Sequence, residues 1–215
     1  MKTILICNQK GGVGKSMLCD EICYALERDQ VKFNLYDLDQ QGSLTHEARE
    51  IDDAAVAVVD TPGALQDDLT KWIEAADMVI VPTLMTRKDL VPLERMIKIL
   101  EPFEGKKPIL YVLNMYDHTN MTKDFNTWFD ENYPECNTAI LARTTALPQA
   151  DACGQSIVDF APRSTGAEQI KNIYAYLKTT LNIREGWREK WETVFFQKAL
   201  QPELRTKKRK WPLMI

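Results

Sequence analysis

Residues 8–16 read Asn8-Gln9-Lys10-Gly11-Gly12-Val13-Gly14-Lys15-Ser16. Three glycines let backbone N–H groups curl around phosphate oxygens, and a helix opening directly behind them adds its positive dipole. In such a loop Lys15 reaches the β- and γ-phosphates and the Ser16 hydroxyl ligates Mg²⁺. The chemistry implied is binding of a nucleoside triphosphate, with Gly11, Gly12, Val13, Gly14, Lys15, Ser16 and Met17 forming the cradle. An ordinary glycine-rich strand–helix turn is the plain alternative, and Gly-Lys-Ser between a strand and a helix argues against it.

Two further segments bring carboxylates. Tyr36-Asp37-Leu38-Asp39-Gln40-Gln41-Gly42-Ser43 ends an apolar run. Alternating strand residues point to opposite sides, so Asp37 and Asp39 share a side at the strand's C-terminus, beside the glycine loop. Carboxylates there hold the Mg²⁺ shell or orient an attacking water. Val56-Ala57-Val58-Val59 then runs into Asp60-Thr61-Pro62-Gly63. Four apolar residues followed by Asp bury a strand and deliver one carboxylate towards Mg²⁺. Gly63 offers an N–H to the γ-phosphate. Read singly, these carboxylates also suit a polar turn and a helix cap; their order behind the glycine loop favours the metal reading.

The elements that must position these groups are short apolar runs alternating with longer helical patterns. Residues 3–7, 32–36, 55–59, 78–81, 109–113 and 138–141 read as strands, continuous in apolar character as expected when both faces of a sheet are covered. Helical periodicity falls near 16–29, 65–76, 88–101, 121–132 and 164–181. The alternation predicts an α/β fold, a mostly parallel twisted sheet with helices on both faces. Right-handed crossovers put every strand C-terminus on one edge, where ligands bind. The expected division is a phosphate-loop (P-loop) domain over 1–182 and a C-terminal amphipathic helix with a basic tail over 183–215.

The motif KGGVGKS resembles the deviant Walker A loop of the ParA/MinD family of ATPases. Gln9 stands where the ordinary GxxxxGKS/T pattern has its first glycine, and Lys10 is the extra lysine of the resembling family. The resemblance implies ATP and Mg²⁺ as cofactors. It also implies that Lys10 reaches across a dimer interface to the partner's nucleotide, a cation supplied in trans when two subunits close. Residues 37–43 resemble the family's DxDPQGN segment, with Gln40 for Pro and Ser43 for Asn. Carried over, Asp39 serves the hydrolytic water, while Asp37 supports the metal site with Ser16 and Asp60. Lys10, Lys15 and Asp39 are thus the candidate catalytic residues. Leu113-Asn114-Met115-Tyr116-Asp117 resembles the strand whose Asn contacts adenine, making Asn114 the base-binding candidate. Residues 76–83 resemble the family's ADLVLIP strand, and Phe160-Ala161-Pro162-Arg163-Ser164-Thr165-Gly166-Ala167 resembles a YDPRSTGA-like stretch of ParA proteins.

Two departures qualify the resemblance. Only 21 positions separate Asp39 from Asp60, so a helical segment common in the family is expected to be reduced. In residues 142–150, which resemble a ParA segment carrying DNA-contacting arginine, Arg143 remains but Ala146 occupies the position of the better-known arginine. The sequence reads without an N-terminal helix-turn-helix extension, so site-specific operator binding is not expected.

The net charge of −4 divides unevenly. Residues 184–215 hold nine Lys/Arg against four Glu, a net of +5, leaving −9 on the rest, and three of the five tryptophans lie there. Ile183, Trp187, Trp191, Val194 and Phe195 share one helical face. Lys207, Lys208, Arg209 and Lys210 follow. A basic run releases counterions on DNA, and beside Trp and an apolar tip it also suits anionic lipid. With Arg143 it is the candidate contact to non-specific DNA. Five cysteines form no CxxC pair, Cys19 and Cys23 read as core, and so do the Met and Trp residues of 72–128. His46 and His118 read as isolated. No run spans a bilayer, and residues 1–7 are too short for a signal peptide. The expectation is a cytoplasmic, nucleoid-associated ATPase that dimerises with ATP and is stimulated by a ParB-like or other small partner to segregate DNA. A MinD-like membrane ATPase is the alternative, and a P-loop metabolic ligase a more distant one.

Overall fold

A computed structural model describes residues 1–39, 42–63 and 68–186. Strands β1 (Lys2–Ile6), β2 (Phe33–Asp37), β3 (Val56–Asp60), β4 (Met78–Leu84), β5 (Ile109–Tyr116) and β6 (Asn137–Ala142) form one sheet in the order β2-β3-β1-β4-β5-β6. Every neighbouring pair is parallel. The helices are α1 (Lys15–Arg28), α2 (Leu69–Ala75), α3 (Arg87–Leu100), α4 (Asn120–Asn132), α5 (Ala146–Ala152), α6 (Ile157–Phe160) and α7 (Thr165–Leu181). The six expected strands and the α/β class are those observed.

Alternation along β1 divides its side chains between two cores. Ile4 and Ile6 pack with Leu18, Ile22 and Leu26 of α1 and Ile170, Ile173 and Leu177 of α7. Leu5 and Cys7 pack with Ile73 of α2, Leu93 and Met96 of α3, and Phe125 and Phe129 of α4. Strands buried on both faces read as unbroken apolar runs for this reason. Cys19 and Cys23 are buried in the first core, as read from the sequence. Ser164 caps α7 by accepting from the Ala167 N–H at 3.2 Å, satisfying one of the helix's orphan donors.

The structure corrects several expectations. Helices α5 and α6 were not anticipated. Among the described residues between Asp39 and Asp60 there is no helix; instead Arg49 and Leu35 exchange backbone hydrogen bonds of 2.9 and 3.0 Å. This antiparallel bridge covers the outer edge of β2, an otherwise open row of backbone groups. Met115 and Met121 are half exposed rather than core. Helix α7 ends at Asn182, whose φ is +53°, and the Gly186 N–H returns to the Asp29 carbonyl at 3.0 Å. The expected amphipathic helix beyond residue 186 and the basic run Lys207, Lys208, Arg209 and Lys210 lie outside the described residues.

Candidate functional site: a phosphate loop at the sheet edge

The chain leaves β1 at Ile6 and enters α1 at Lys15, so residues 7–14 must turn at the C-terminal edge of the sheet. Asn8 fixes the start of the turn. Its buried amide donates to the Pro82 carbonyl at 2.7 Å, and its side-chain oxygen accepts from the Lys10 N–H at 2.9 Å. Gly14 closes the turn at φ +99°, a conformation side chains rarely adopt, and a Cβ there would stand 2.4 Å from Asn114 Nδ2. A Cβ on Gly11 or Gly12 would meet nothing within 4 Å, because both border a cavity of about 1100 Å³. Gly63 lies against the other side of the loop, its ideal Cβ position 3.0 Å from the Gly11 nitrogen.

Charge is concentrated beside this cavity. Lys15 is buried and its ammonium donates to the Lys10 carbonyl at 3.1 Å. Burial draws its pKa down, against the opposing pull of Asp60, Asp39 and Cys7. Asp60 is fully buried, and neither carboxylate oxygen accepts a hydrogen bond of ordinary geometry. Burial pushes its pKa up to about 6; Ser16 and Lys15 oppose the rise, while Asp37 and Asp39 add to it. A buried ionised carboxylate is costly without a partner, and this one sits near a hydroxyl and an ammonium. Ser16 Oγ is 2.7 Å from Ser43 Oγ. Oxygen donors with one or two carboxylates suit Mg²⁺, which keeps several waters. Among the described residues no group of three or more His, Cys, Asp or Glu side chains could hold a metal.

Residues 4–157 match the family described as the CobQ/CobB/MinD/ParA nucleotide binding domain. The chain belongs to this family. No curated protein matches it. McdA of Cyanothece in an ATP complex superposes with a TM-score of 0.67 at 16% identity, covering 86% of this chain and 97% of that one. A putative plasmid partition protein of Borrelia burgdorferi bound to AMPPNP gives 0.64 at 17%, covering 83% and 99%. The septum site-determining protein MinD of Pyrococcus horikoshii, complexed with Mg-ADP, gives 0.62 at 15%, covering 82% and 95%. At such identities the likeness is one of fold.

The ParA/MinD-type fold gathers most of the sequence candidates at one place. Gly11, Gly12, Gly14, Lys15, Ser16, Met17, Asp39, Gly63, Asn114 and Arg143 line the cavity. Lys10, Val13, Asp37 and Asp60 are not among its lining residues. Strand β2 ends at Asp37, so Asp39 lies beyond the strand and simple alternation does not set its direction. The Asp37 carboxylate instead accepts from the Asp39 N–H at 2.9 Å, shaping the turn that presents Asp39. Asn114 donates to the Val13 carbonyl at 2.9 Å and accepts from the Met115 N–H at 2.8 Å; its amide holds the phosphate loop itself. Arg143, placed by sequence on a DNA surface, is exposed at the wall of this cavity beside Thr144 and Thr145. The Phe160–Ala167 motif also acquires a packing account: a Cβ on Gly166 would meet Ile157 Cδ1 at 2.9 Å and Thr144 at 3.2 Å.

Some site residues escaped the sequence reading. Ser43 touches Ser16 across 27 positions. Asp20 lines the cavity and accepts from the Thr45 and His46 N–H groups at 2.9 and 3.0 Å. His46, read as isolated, bonds Asp20 at 2.6 Å. The only signal in the sequence was the register of Asp20 on α1, one turn beyond Ser16.

Proposed function

We propose that this chain is a ParA-like ATPase that binds Mg-ATP, closes into a homodimer, binds DNA without sequence specificity and releases it after hydrolysis. The observation that carries the reading is the loop: a second lysine, Lys10, precedes a cradle whose Gly11 and Gly12 border open space and whose Lys15 is already buried behind them. The orphaned Asp60 carboxylate supports Mg²⁺ in that cradle.

Bound Mg-ATP supplies the scissile phosphoryl bond and a cation to neutralise its charge. The loop N–H groups and Lys15 bind the phosphates; Ser16 and Asp60 hold the metal. Asp39, oriented by Asp37, positions the attacking water. Arg143, Met115, Thr144, Thr145, Leu147 and Pro148 line the cavity together with Asn114, which keeps the loop in register. Lys10 couples the chemistry to closure of two subunits, so turnover by one subunit alone is slow and a ParB-like or other small partner accelerates it. Segregation of a plasmid or another mobile element on the nucleoid follows from a DNA-bound dimer that hydrolysis dissolves.

Likeness to both partition proteins and MinD leaves the polyanion to be decided by the basic tail. The ParA-like stretch at 160–167 favours DNA, with the tail's Lys and Arg replacing the charge that Ala146 lacks. The test is ATP-dependent binding of the full chain, and of a chain lacking 205–215, to random-sequence DNA and to anionic liposomes. DNA binding that falls steeply with salt and weakens on truncation supports the reading. Liposome binding lost with the tail, without DNA binding, overturns it in favour of the MinD-like alternative.

A further inference from the structure

Lys10 does not face the cavity. Its ammonium is ion-paired to Asp89 in the first turn of α3, and the other Asp89 oxygen is bonded to the Thr86 hydroxyl. Asp89 is 1% exposed while Lys10 is partly exposed. The aspartate also closes the helix turn through its own N–H, which donates to the Thr86 carbonyl at 2.9 Å. Its carboxylate is therefore satisfied from both sides, once by a fixed neighbour and once by a lysine on a long flexible stem.

We propose that Asp89, set by Thr86, is a positioning residue that parks Lys10 within its own subunit and must release it before two subunits can close over ATP. The proposal rests on Lys10 acting in trans. Removing Lys10 leaves a buried carboxylate with one neutral donor, and breaking a buried pair at one end is costly. The parked state therefore opposes closure. What extracts the lysine must carry more negative charge than one carboxylate, a condition a partner's triphosphate meets. Asp89 lies 79 residues from Lys10 in the chain and outside the phosphate loop.

The two partners of Asp89 give variants with opposite signs. Asp89→Asn keeps the shape but removes the charge that holds Lys10, so the ATP-dependent dimer should form with a dissociation constant about tenfold lower, a shift of about 1.4 kcal/mol. Thr86→Val leaves Asp89 with Lys10 as its sole donor. Parking is then tighter, and the dimer should be several-fold weaker with unchanged ATP affinity of the single subunit. General damage to α3 moves both variants the same way. Sedimentation velocity of the full-length variants with Mg-ATP, alongside Lys10→Ala, reads all of this. Opposite shifts for the two variants support the latch. Unchanged or weaker dimerisation of Asp89→Asn, with Lys10→Ala unable to dimerise, overturns the latch and leaves the trans role standing. Wild-type dimerisation of Lys10→Ala overturns the trans role itself. If Asp89→Asn does not fold, Thr86→Val decides alone: a dimer as strong as wild type overturns the latch.

Discussion

The side-chain amide of Asn114 donates to the carbonyl of Val13 at 2.9 Å, joining the end of β5 to the phosphate loop 101 residues earlier. The same side chain accepts from the Met115 N–H, and Met115 holds a φ of +59°. One residue therefore fixes both the loop and an unfavourable backbone turn at the cavity wall. Asn114→Ala leaves two backbone groups unsatisfied, so stability should fall by about 1–3 kcal/mol and ATP affinity about tenfold. Urea denaturation and titration with a fluorescent ATP analogue check both.

Gly14 faces that amide. A side chain there is strained by φ +99° and collides with Asn114 at 2.4 Å. Gly14→Ala should retain the α/β circular-dichroism spectrum and lose ATP turnover by about a hundredfold, the cost of a displacement near 1 Å at a reacting centre.

Asp60 illustrates a buried charge retained for a ligand. With its pKa pushed up to about 6, the ionised carboxylate opposes folding at neutral pH by roughly 2–3 kcal/mol. Asp60→Asn should therefore raise the melting temperature of the ligand-free protein. It should also abolish the additional stabilisation that Mg²⁺ gives in the presence of ATP. Differential scanning fluorimetry with and without Mg²⁺ reads both effects.

His46 ties residues 42–50 to α1. Burial draws its pKa down, but the hydrogen bond to Asp20 and the charges of Asp20 and Glu27 outweigh this and raise it. A raised folded pKa means the contribution is fully present below about pH 6.5 and is lost as pH rises through the folded value. The urea midpoint should fall across that window. His46→Gln should flatten the slope and cost about 1 kcal/mol at pH 6.

How much of this was legible follows from range in sequence. The phosphate loop was readable because its residues are contiguous and glycine's backbone freedom leaves a local signature. The strands were readable because burial on both faces leaves unbroken apolar runs. Helices α5 and α6, of seven and four residues, are shorter than two turns of helical period, so their apolar residues could not be told from those of a loop. Met115 read as core because the strand pattern continues through it, whereas the irregularity between Asn114 and Tyr116 turns it outward to the cavity. Lys10 and Asp89 meet through the crossover from β4 to α3, which no pattern in either segment encodes. The metal role of Asp37 came from the resemblance of residues 37–43 to a family segment; the turn it makes with the Asp39 N–H depends on where β2 ends.

The central claim is that ATP bound at this loop closes two subunits. Asp39→Ala, mixed with Mg-ATP, should accumulate as a stable dimer, because closure occurs and hydrolysis does not dissolve it. Multi-angle light scattering should give the mass of two chains with ATP and of one chain without it. A single-chain mass under ATP saturation, verified by nucleotide titration, would contradict the account.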